Sequence, residues 1–247
     1  MPPIATNAGN GRDVAPAVAA HGVCRRYGRR WALVDVSFQL AAGRALMVAG
    51  RNGSGKSTLL RVLATAIRPD HGTAHVLGLD VRQDRDGVRR LCSLLAHDSQ
   101  HYEALTALDN LRIAARLLGR DASREALRAA LAAVDLAERA DDVVASFSAG
   151  MRKRLSLART LLKDAAVVLL DEPYAALDPP GFRLVDGLLE GLRTRGRTVL
   201  MSTHLIEHGR ALCDDVVVLD AGRVTLECRA QDLPTAFVDR VPDRHHV

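Results

Sequence analysis

The stretch "GRNGSGKS", residues Gly50 to Ser57, decides the fold of this chain. It fits the pattern G-x-x-x-x-G-K-(S/T), follows a predicted strand, "RALMVAG", and opens a predicted helix, "KSTLLRVLATAI". In such a loop the backbone amides curl around a β-phosphate, the lysine supplies a point charge and the serine hydroxyl binds Mg²⁺. The alternative, a glycine-rich turn with a Lys-Ser pair by chance, does not account for the strand and the helix around it.

The candidate phosphate-binding residues are the loop and the first residues of the helix. Lys56 would contact the β- and γ-phosphates and so act in catalysis, and Ser57 would bind Mg²⁺. The full predicted set is Gly50, Asn52, Gly53, Ser54, Gly55, Lys56, Ser57 and Thr58.

Polar residues end two further apolar stretches that read as strands. "VVLLDEP" ends in Asp171 and Glu172, and "VLMSTH" ends in His204. In a parallel sheet these ends meet beside the phosphate loop. There Asp171 would hold Mg²⁺ through water, Glu172 would polarise the attacking water, and His204 would bind the γ-phosphate. Solvated acids after a core strand and a structural histidine are the alternatives.

The composition indicates a globular protein and leaves its partners open. The 247 residues are 48% hydrophobic and 26% charged, and the net charge of +5 suits nucleic acid, an anionic membrane surface or a phosphate-rich ligand. The four cysteines are scattered, so neither a disulfide framework nor a metal site is expected. No apolar run approaches the roughly 18 residues of a membrane span, and the first residues lack the order of a secretion signal, so we expect a cytoplasmic protein.

The order of predicted elements indicates an α/β protein with a parallel-sheet core. Strands are expected from Val18, a mostly helical region from about 88 to 162, and then strands alternating with a helix as in βαβ units. A hairpin around Ala221-Gly222 closes the core. We therefore expect a mobile extension over 1–17, one domain over 18–228 and a tail over 229–247.

The stretch "FSAGMRKRLSLAR", Phe147 to Arg159, places a hydroxyl and a glycine at the start of a basic amphipathic helix. The free N–H groups and the dipole of such a helix attract anions. A serine there is also a common N-cap for purely structural reasons. The stretch by itself leaves both interpretations of Ser148 open.

These motifs, taken in order with "AALD" and "STH", resemble the ATP-binding cassette family from Val18 to Glu227. The resemblance implies a P-loop NTPase of that type, with a RecA-like parallel-sheet core, an antiparallel β subdomain and a helical subdomain. It also implies a head-to-tail dimer, a homodimer or a heterodimer, in the ATP state. Ser148 and Gly150 of one copy would then face the γ-phosphate of the ATP that Lys56 holds in the other.

The family pattern transfers residue by residue, with two departures. Its Leu-Ser-Gly-Gly-Gln signature reads "FSAGM" here, so Ala149 keeps a small residue and Met151 lacks the side-chain amide. At the glutamine position, counted back from Leu105-Thr106, stands His97, which would bind Mg²⁺ or a water. Tyr27 matches the aromatic that stacks on adenine, with a core tyrosine as the alternative, and Asp178 matches the loop that crosses the dimer interface.

The resemblance implies the energising subunit of a transporter whose membrane-spanning subunits are separate chains. Residues 97–118 would form the docking groove, and the chain would lie on the cytoplasmic face of the membrane. The histidine at the glutamine position, "LTALDNL", "FSAG" and "LDEPYAALD" together are most similar to the haem-exporter ATP-binding subunit of cytochrome c maturation. An unrelated exporter or a soluble ATPase acting on nucleic acid are the alternatives, although no nucleic acid is expected as a partner.

Overall fold

The computed structural model describes residues 15–97 and 100–234. Most of the expected N-terminal extension, residues 1–14, and most of the expected tail, residues 235–247, lie outside the described residues. Ala17 is already buried, and its carbonyl accepts a hydrogen bond from the Leu77 amide. The described fold therefore begins before Val18.

The described chain contains ten strands and seven α-helices. The strands are β1 (Val18–Tyr27), β2 (Arg30–Leu40), β3 (Ala45–Ala49), β4 (His71–Val76), β5 (Leu79–Asp80), β6 (Cys92–Leu95), β7 (Val167–Asp171), β8 (Thr198–Thr203), β9 (Asp215–Asp220) and β10 (Arg223–Arg229). The helices are α1 (Lys56–Leu63), α2 (Arg85–Leu91), α3 (Ala107–Leu117), α4 (Arg124–Ala132), α5 (Ala149–Leu161), α6 (Pro179–Thr194) and α7 (Ile206–Leu212).

A six-stranded sheet forms the core, in the order β10-β9-β3-β8-β7-β6. Every pair in it is parallel except β9 with β10. Strands β3, β7 and β8 are buried at every position, as expected for parallel strands covered on both faces. The expected parallel-sheet core is confirmed, and it brings the carboxyl ends of β3, β7 and β8 to one edge.

A second, antiparallel sheet has the order β2-β1-β4-β5 and covers one side of the core. Its apolar residues share a buried cluster with α1 and the central strands. The sheets also meet through the β9–β10 hairpin, where the amide of Val34 donates to the Gly222 carbonyl. Ala221 and Gly222 both have positive φ, at 45° and 80°, as a two-residue turn of this kind requires.

The region expected to be helical contains a strand of the core sheet. Four of its residues, Cys92–Leu95, form β6 and pair in parallel with β7, Cys92 opposite Val167. The apolar run "CSLL" is too short to carry its own periodicity, and its partner is distant in sequence. The helical layer itself is α3, α4 and α5, whose buried faces share one cluster with β7 and α6.

Two further expected boundaries were wrong. Helix α1 ends at Leu63, before the end of the predicted helical stretch "KSTLLRVLATAI", because Thr65 adopts a left-handed conformation with φ 60°. At the C-terminal side, β10 runs to Arg229, and Ala230 and Leu233 are buried against α7 and β9. The folded domain thus extends past residue 228.

No helix within residues 15–97 and 100–234 is long and apolar enough to cross a membrane.

Gly72 in β4 lies where the backbones of β1 and β4 approach each other closely. Its φ is +77°, and a Cβ there would lie 2.2 Å from the Gly22 carbonyl oxygen, whereas Gly78 has a similar φ of +78° and open space around it. We expect Gly78→Ala to lower the free energy of unfolding by about 1–2 kcal/mol through backbone strain. Gly72→Ala should cost a further 1–3 kcal/mol, roughly, because backbone must move. Urea unfolding of both variants measures the difference, and equal losses would contradict it.

Candidate functional site

The loop between β3 and α1 has a backbone path that only glycine follows at two positions. Gly50 and Gly55 have φ of +147° and +111°. A Cβ on Gly50 would lie 2.3 Å from the Leu219 carbonyl oxygen, and one on Gly55 would lie 2.4 Å from the Ala32 carbonyl oxygen. The loop is therefore pressed between β9 and β2, and helix α1 starts directly after it with its free amides at the edge of the sheet.

Lys56 is buried at the centre of this loop. Its ammonium donates to the carbonyls of Gly50 at 2.7 Å and Arg51 at 3.2 Å, and it lies 3.6 Å from Glu172 Oε1. Burial lowers the pKa of Lys56, and the nearby carboxylates of Glu172 and Asp171 oppose this shift. A cation that has lost hydration interacts strongly with any anion that enters beside it.

The Asp171 carboxylate at the end of β7 joins three elements. Its Oδ1 accepts from the Ser57 hydroxyl of α1 at 2.9 Å and from the Ser202 hydroxyl of β8 at 2.6 Å. Ser202 Oγ also accepts from the Glu172 amide at 3.1 Å, and the ammonium of Lys153, from α5, donates to the Asp171 carbonyl at 3.3 Å. These bonds hold the ends of β7 and β8 in one position relative to α1.

Glu172 follows with an unusual backbone conformation and a buried side chain. Its φ is 46°, a strained value for a residue other than glycine. Its Oε2 lies 3.0 Å from His204 Nδ1, while Oε1 has no hydrogen-bond partner among the described residues and faces Lys56. The strained turn therefore directs a buried carboxylate toward the phosphate loop.

A cavity of about 540 Å³ opens over these groups. Its lining is Tyr27, Arg30, Ala32, Asn52, Gly53, Gly55, Lys56, Ser57, Thr58, His97 and Glu172. Tyr27 is 45% exposed at the end of β1, so it is not a core tyrosine, and the Arg25 guanidinium lies 5.0 Å from its ring centroid. The cavity has an aromatic face at one end and a cationic, amide-rich floor at the other.

His97 lies in the chain after β6 and is exposed at the rim of this cavity. The residue at the expected glutamine position therefore does reach the same space as Lys56 and Glu172. Four predicted residues do not line the cavity. Asp171 and His204 are hydrogen-bonded to the lining residues Ser57 and Glu172, and the other two, Gly50 and Ser54, belong to the phosphate loop.

Ser148 and Gly150 do not line this cavity. Ser148 is exposed and caps α5, since its Oγ accepts from the Met151 amide at 3.2 Å. A Cβ on Gly150 would lie 3.0 Å from the Ala176 carbonyl oxygen. Asp178 caps α6 through the Gly181 amide and pairs with Arg154 at 3.2 Å. Ser148 therefore does cap α5. Because its Oγ acts there as an acceptor, the Ser148 O–H can still donate a hydrogen bond to another group.

Three residues of the site were missed from the sequence: Ser202, Lys153 and Arg30. Ser202 has a detectable signal, because a hydroxyl within the apolar run "VLMST" needs a buried partner. Lys153 has none, since a lysine in a basic helix normally points to solvent and only the packing of α5 buries it. Arg30 is the first residue of β2, opposite Tyr27, and it belongs to no recognisable motif.

Two side-chain oxygen atoms, one at the start of α1 and one at the end of β7, are suitable ligands for a magnesium ion. Ser57 Oγ and Asp171 Oδ1 lie 2.9 Å apart, and both are hard oxygen ligands. Magnesium in nucleotide sites commonly takes one or two protein oxygens and completes its shell with phosphates and water. Among the described residues no group of three or more His, Cys, Asp or Glu side chains could hold a metal by itself.

Comparison with known proteins relates this geometry to one family. The family model for ABC transporters matches residues 33–175. A daunorubicin resistance ATP-binding protein of Streptomyces coeruleorubidus is 39% identical over 219 residues, which are 88% of this chain and 69% of that protein. A Nod factor export ATP-binding protein of Ralstonia nicotianae is 32% identical over 229 residues, 92% of this chain and 71% of that protein.

Solved structures with the same fold include an ATP-binding subunit of an ABC transporter, at a TM-score of 0.80 and 25% identity, covering 92% of this chain and 95% of that one. A dimeric ATP-binding cassette bound to ADP and Pi has a TM-score of 0.77 and 25% identity, covering 87% of this chain and all of that one. The likeness extends over both sheets and the helical layer, since so much of the chain is covered.

Proposed function

The chain belongs to the ABC transporter family, and we propose that it is the subunit that binds and hydrolyses ATP to energise a membrane transporter. The observation that carries this proposal is the cavity that joins Lys56 and Ser57 to Glu172. A phosphate loop, a buried carboxylate and an oxygen pair suited to Mg²⁺ meet there. Phosphoryl transfer depends mainly on such positioning and on charge neutralisation.

In this proposal each residue acts from its position in the described site. The loop amides and Lys56 bind the phosphates, and Tyr27 stacks on the base. Glu172 Oε1 orients the attacking water, and His204 holds the Glu172 carboxylate through the 3.0 Å contact with Oε2. Ser57 and Asp171 would hold Mg²⁺, which neutralises phosphate charge when bound. At the rim, His97 would act through a water, because imidazole suits Mg²⁺ poorly.

We further propose that a second copy of an ATPase domain completes the site. The phosphate cavity is open, and the capped start of α5, with Ser148 exposed, lies outside it in the same chain. A head-to-tail dimer would bring Ser148 and Gly150 of one copy to the γ-phosphate in the other. The dimeric relatives of known structure support this arrangement.

For the cargo, we propose an organic compound moved outward through separate membrane subunits, with the chain attached at the cytoplasmic face. Relatives named for daunorubicin resistance and Nod factor export support this direction, although another relative is named for sulfonate import. Haem export for cytochrome c maturation is the second candidate. It rests on the motif resemblance and on His97 at the cavity rim.

Glu172→Gln should retain ATP binding and slow hydrolysis by tenfold or more, roughly, because the amide cannot accept a proton from water. Lys56→Ala should instead weaken ATP binding itself. Steady-state phosphate release and equilibrium binding of a fluorescent ATP analogue separate the two effects. Glu190→Gln, at an exposed position of α6, is the matched control and should hydrolyse ATP at the wild-type rate. Wild-type turnover of Glu172→Gln would refute the assigned role.

Ser148 distinguishes a helix cap from a group that acts on a partner's ATP. As a cap alone, Ser148→Ala would cost about 1 kcal/mol of stability and leave hydrolysis intact. In the dimer, Ser148→Ala and Ser148→Arg should cripple hydrolysis while the monomer still binds ATP.

Mixing two inactive variants tests the shared site directly. A dimer of Ser148→Arg with Lys56→Ala contains one site with an intact Lys56 from the first chain and an intact Ser148 from the second, so partial activity should return. If mixed dimers are shown to form but activity does not return, one complete site is not sufficient for hydrolysis. Full activity of Ser148→Arg by itself would exclude the role in trans.

The transporter proposal predicts co-purification of this chain from membranes with a polytopic partner chain, which mass spectrometry would identify. Hydrolysis should also be insensitive to DNA and RNA. Strong stimulation by nucleic acid that falls steeply with salt, together with recovery of the chain in the soluble fraction only, would favour the alternative of a nucleic-acid ATPase.

A further inference from the structure

A second cavity, of about 280 Å³, lies among the ends of α1, α3 and α5, helix α2 and strand β6. It shares no lining residue with the 540 Å³ cavity at the phosphate loop, which we call the nucleotide cavity. Its polar lining is Arg89, Cys92, Ser93, Arg159, Thr160 and Lys163, and alanine and leucine side chains form the rest. Three of the side chains are cations, contributed by α2, by α5 and by the turn after α5.

Of the described lining residues, none carries a carboxylate. Two carboxylates lie near these cations and neither lines the cavity: Asp86 forms an exposed ion pair with Arg89, and Asp164 is paired with an arginine outside the lining. Asp86 lies 3.8 Å from Arg89 Nη1 but its side chain is 86% exposed. Asp164, next to Lys163 in the chain, pairs with Arg197 at 2.8 Å. The cavity therefore has an excess of positive charge within the described structure.

The cations are held in place mainly by uncharged oxygen atoms. Arg89 donates from Nε to the Thr65 hydroxyl at 2.9 Å and from Nη2 to the Thr65 carbonyl at 3.5 Å. Lys163 Nζ donates to the carbonyls of Cys92, at 2.6 Å, and Arg89, which leaves it one further N–H. Arg159 donates from Nη1 to the Gln100 carbonyl at 2.7 Å and retains the rest of its guanidinium. Backbone carbonyls orient both groups without neutralising them.

Ser93 supplies an independent sign of a missing ligand. Its side chain is on β6, only 6% of the residue is exposed, and its Oγ has no hydrogen-bond partner among the described residues. A buried hydroxyl without a partner costs about 1–3 kcal/mol. A ligand oxygen in the cavity would remove that cost.

We propose that this cavity binds an oxyanion of the size and charge of phosphate, between the cations of Arg89, Arg159 and Lys163 and the hydroxyl of Ser93. Its volume is about half the 540 Å³ of the nucleotide cavity, so it accommodates a single phosphate group rather than a nucleotide. The donors come from α2, from α5 and the turn after it, and from β6, so they surround the cavity.

Two electrostatic facts support an anion there. Burial lowers the pKa values of Arg159 and Lys163, which means that both cations have lost hydration that an anion would replace. Burial also raises the pKa of Cys92 to about 12, so its thiol stays neutral and adds no negative charge. The phosphate could be free in solution or be the headgroup phosphate of a lipid, since both present the same oxygens.

The test is a calorimetric titration of the full chain with inorganic phosphate at constant ionic strength, with the nucleotide site filled by a non-hydrolysable ATP analogue. We expect Ser93→Ala to weaken binding about threefold to tenfold and Arg89→Gln by tenfold or more, in line with about 1 kcal/mol or more per lost contact. Arg195→Gln, an exposed arginine outside the lining, is the matched control and should bind as the wild type does. Melting temperatures without phosphate verify that each variant is folded.

A parallel sedimentation experiment separates the two sources of phosphate. Vesicles of phosphatidylcholine are compared with vesicles that also contain phosphatidylglycerol. Binding of free phosphate that both variants weaken supports the proposal with a soluble ligand. Binding only to phosphatidylglycerol vesicles, weakened by the same variants, supports it with a lipid headgroup. The proposal is overturned if neither binding depends on Ser93 and Arg89, or if acetate binds more tightly than phosphate and so identifies a carboxylate site. Neither readout depends on ATP hydrolysis, so the proposed function can fail independently.

Discussion

The carboxylate of Asp171 is the contact on which the rest of the site depends. One of its oxygens accepts hydroxyl bonds from Ser57 at the start of α1 and from Ser202 at the end of β8. Hydrogen bonds to a charged acceptor contribute about 1.5–3 kcal/mol each, which is enough to position the phosphate loop relative to the sheet edge. The same serine of β8 then receives the amide of Glu172, so the position of the next carboxylate follows from the first.

This arrangement explains why a strained residue persists beside a buried cation. Glu172 keeps its left-handed backbone because its amide is held by both the hydroxyl and the carbonyl of Ser202. Its carboxylate is flanked by His204 on one oxygen and Lys56 on the other. The groups are therefore oriented before any ligand enters, and preorganised charge of this kind is what stabilises a developing phosphoryl transition state.

The two cavities differ in the chemical groups that line them and in the charge of those groups. The nucleotide cavity combines an aromatic face, amides and a buried carboxylate, and its open side would face the second domain proposed above. The smaller cavity between α5 and β6 is cationic without an acid among its described residues, and it lies at the junction of the helical layer and the core sheet. An anion bound there would connect the end of α5, whose other end carries Ser148, with the strand that leads to His97.

The amino-acid sequence by itself determined the local parts of this protein: the phosphate loop, the two acids at the end of β7, the cap at Ser148 and the β9–β10 hairpin. Each is encoded within a few consecutive residues, because backbone conformation and capping depend on near neighbours. Tertiary structure decided the rest. Strand β6 entered the sheet through a partner some 75 residues away, Lys153 was buried by helix packing, and Ser93, Arg89 and Lys163 met in one cavity. Such contacts depend on which elements become neighbours, and no short stretch of sequence contains that information.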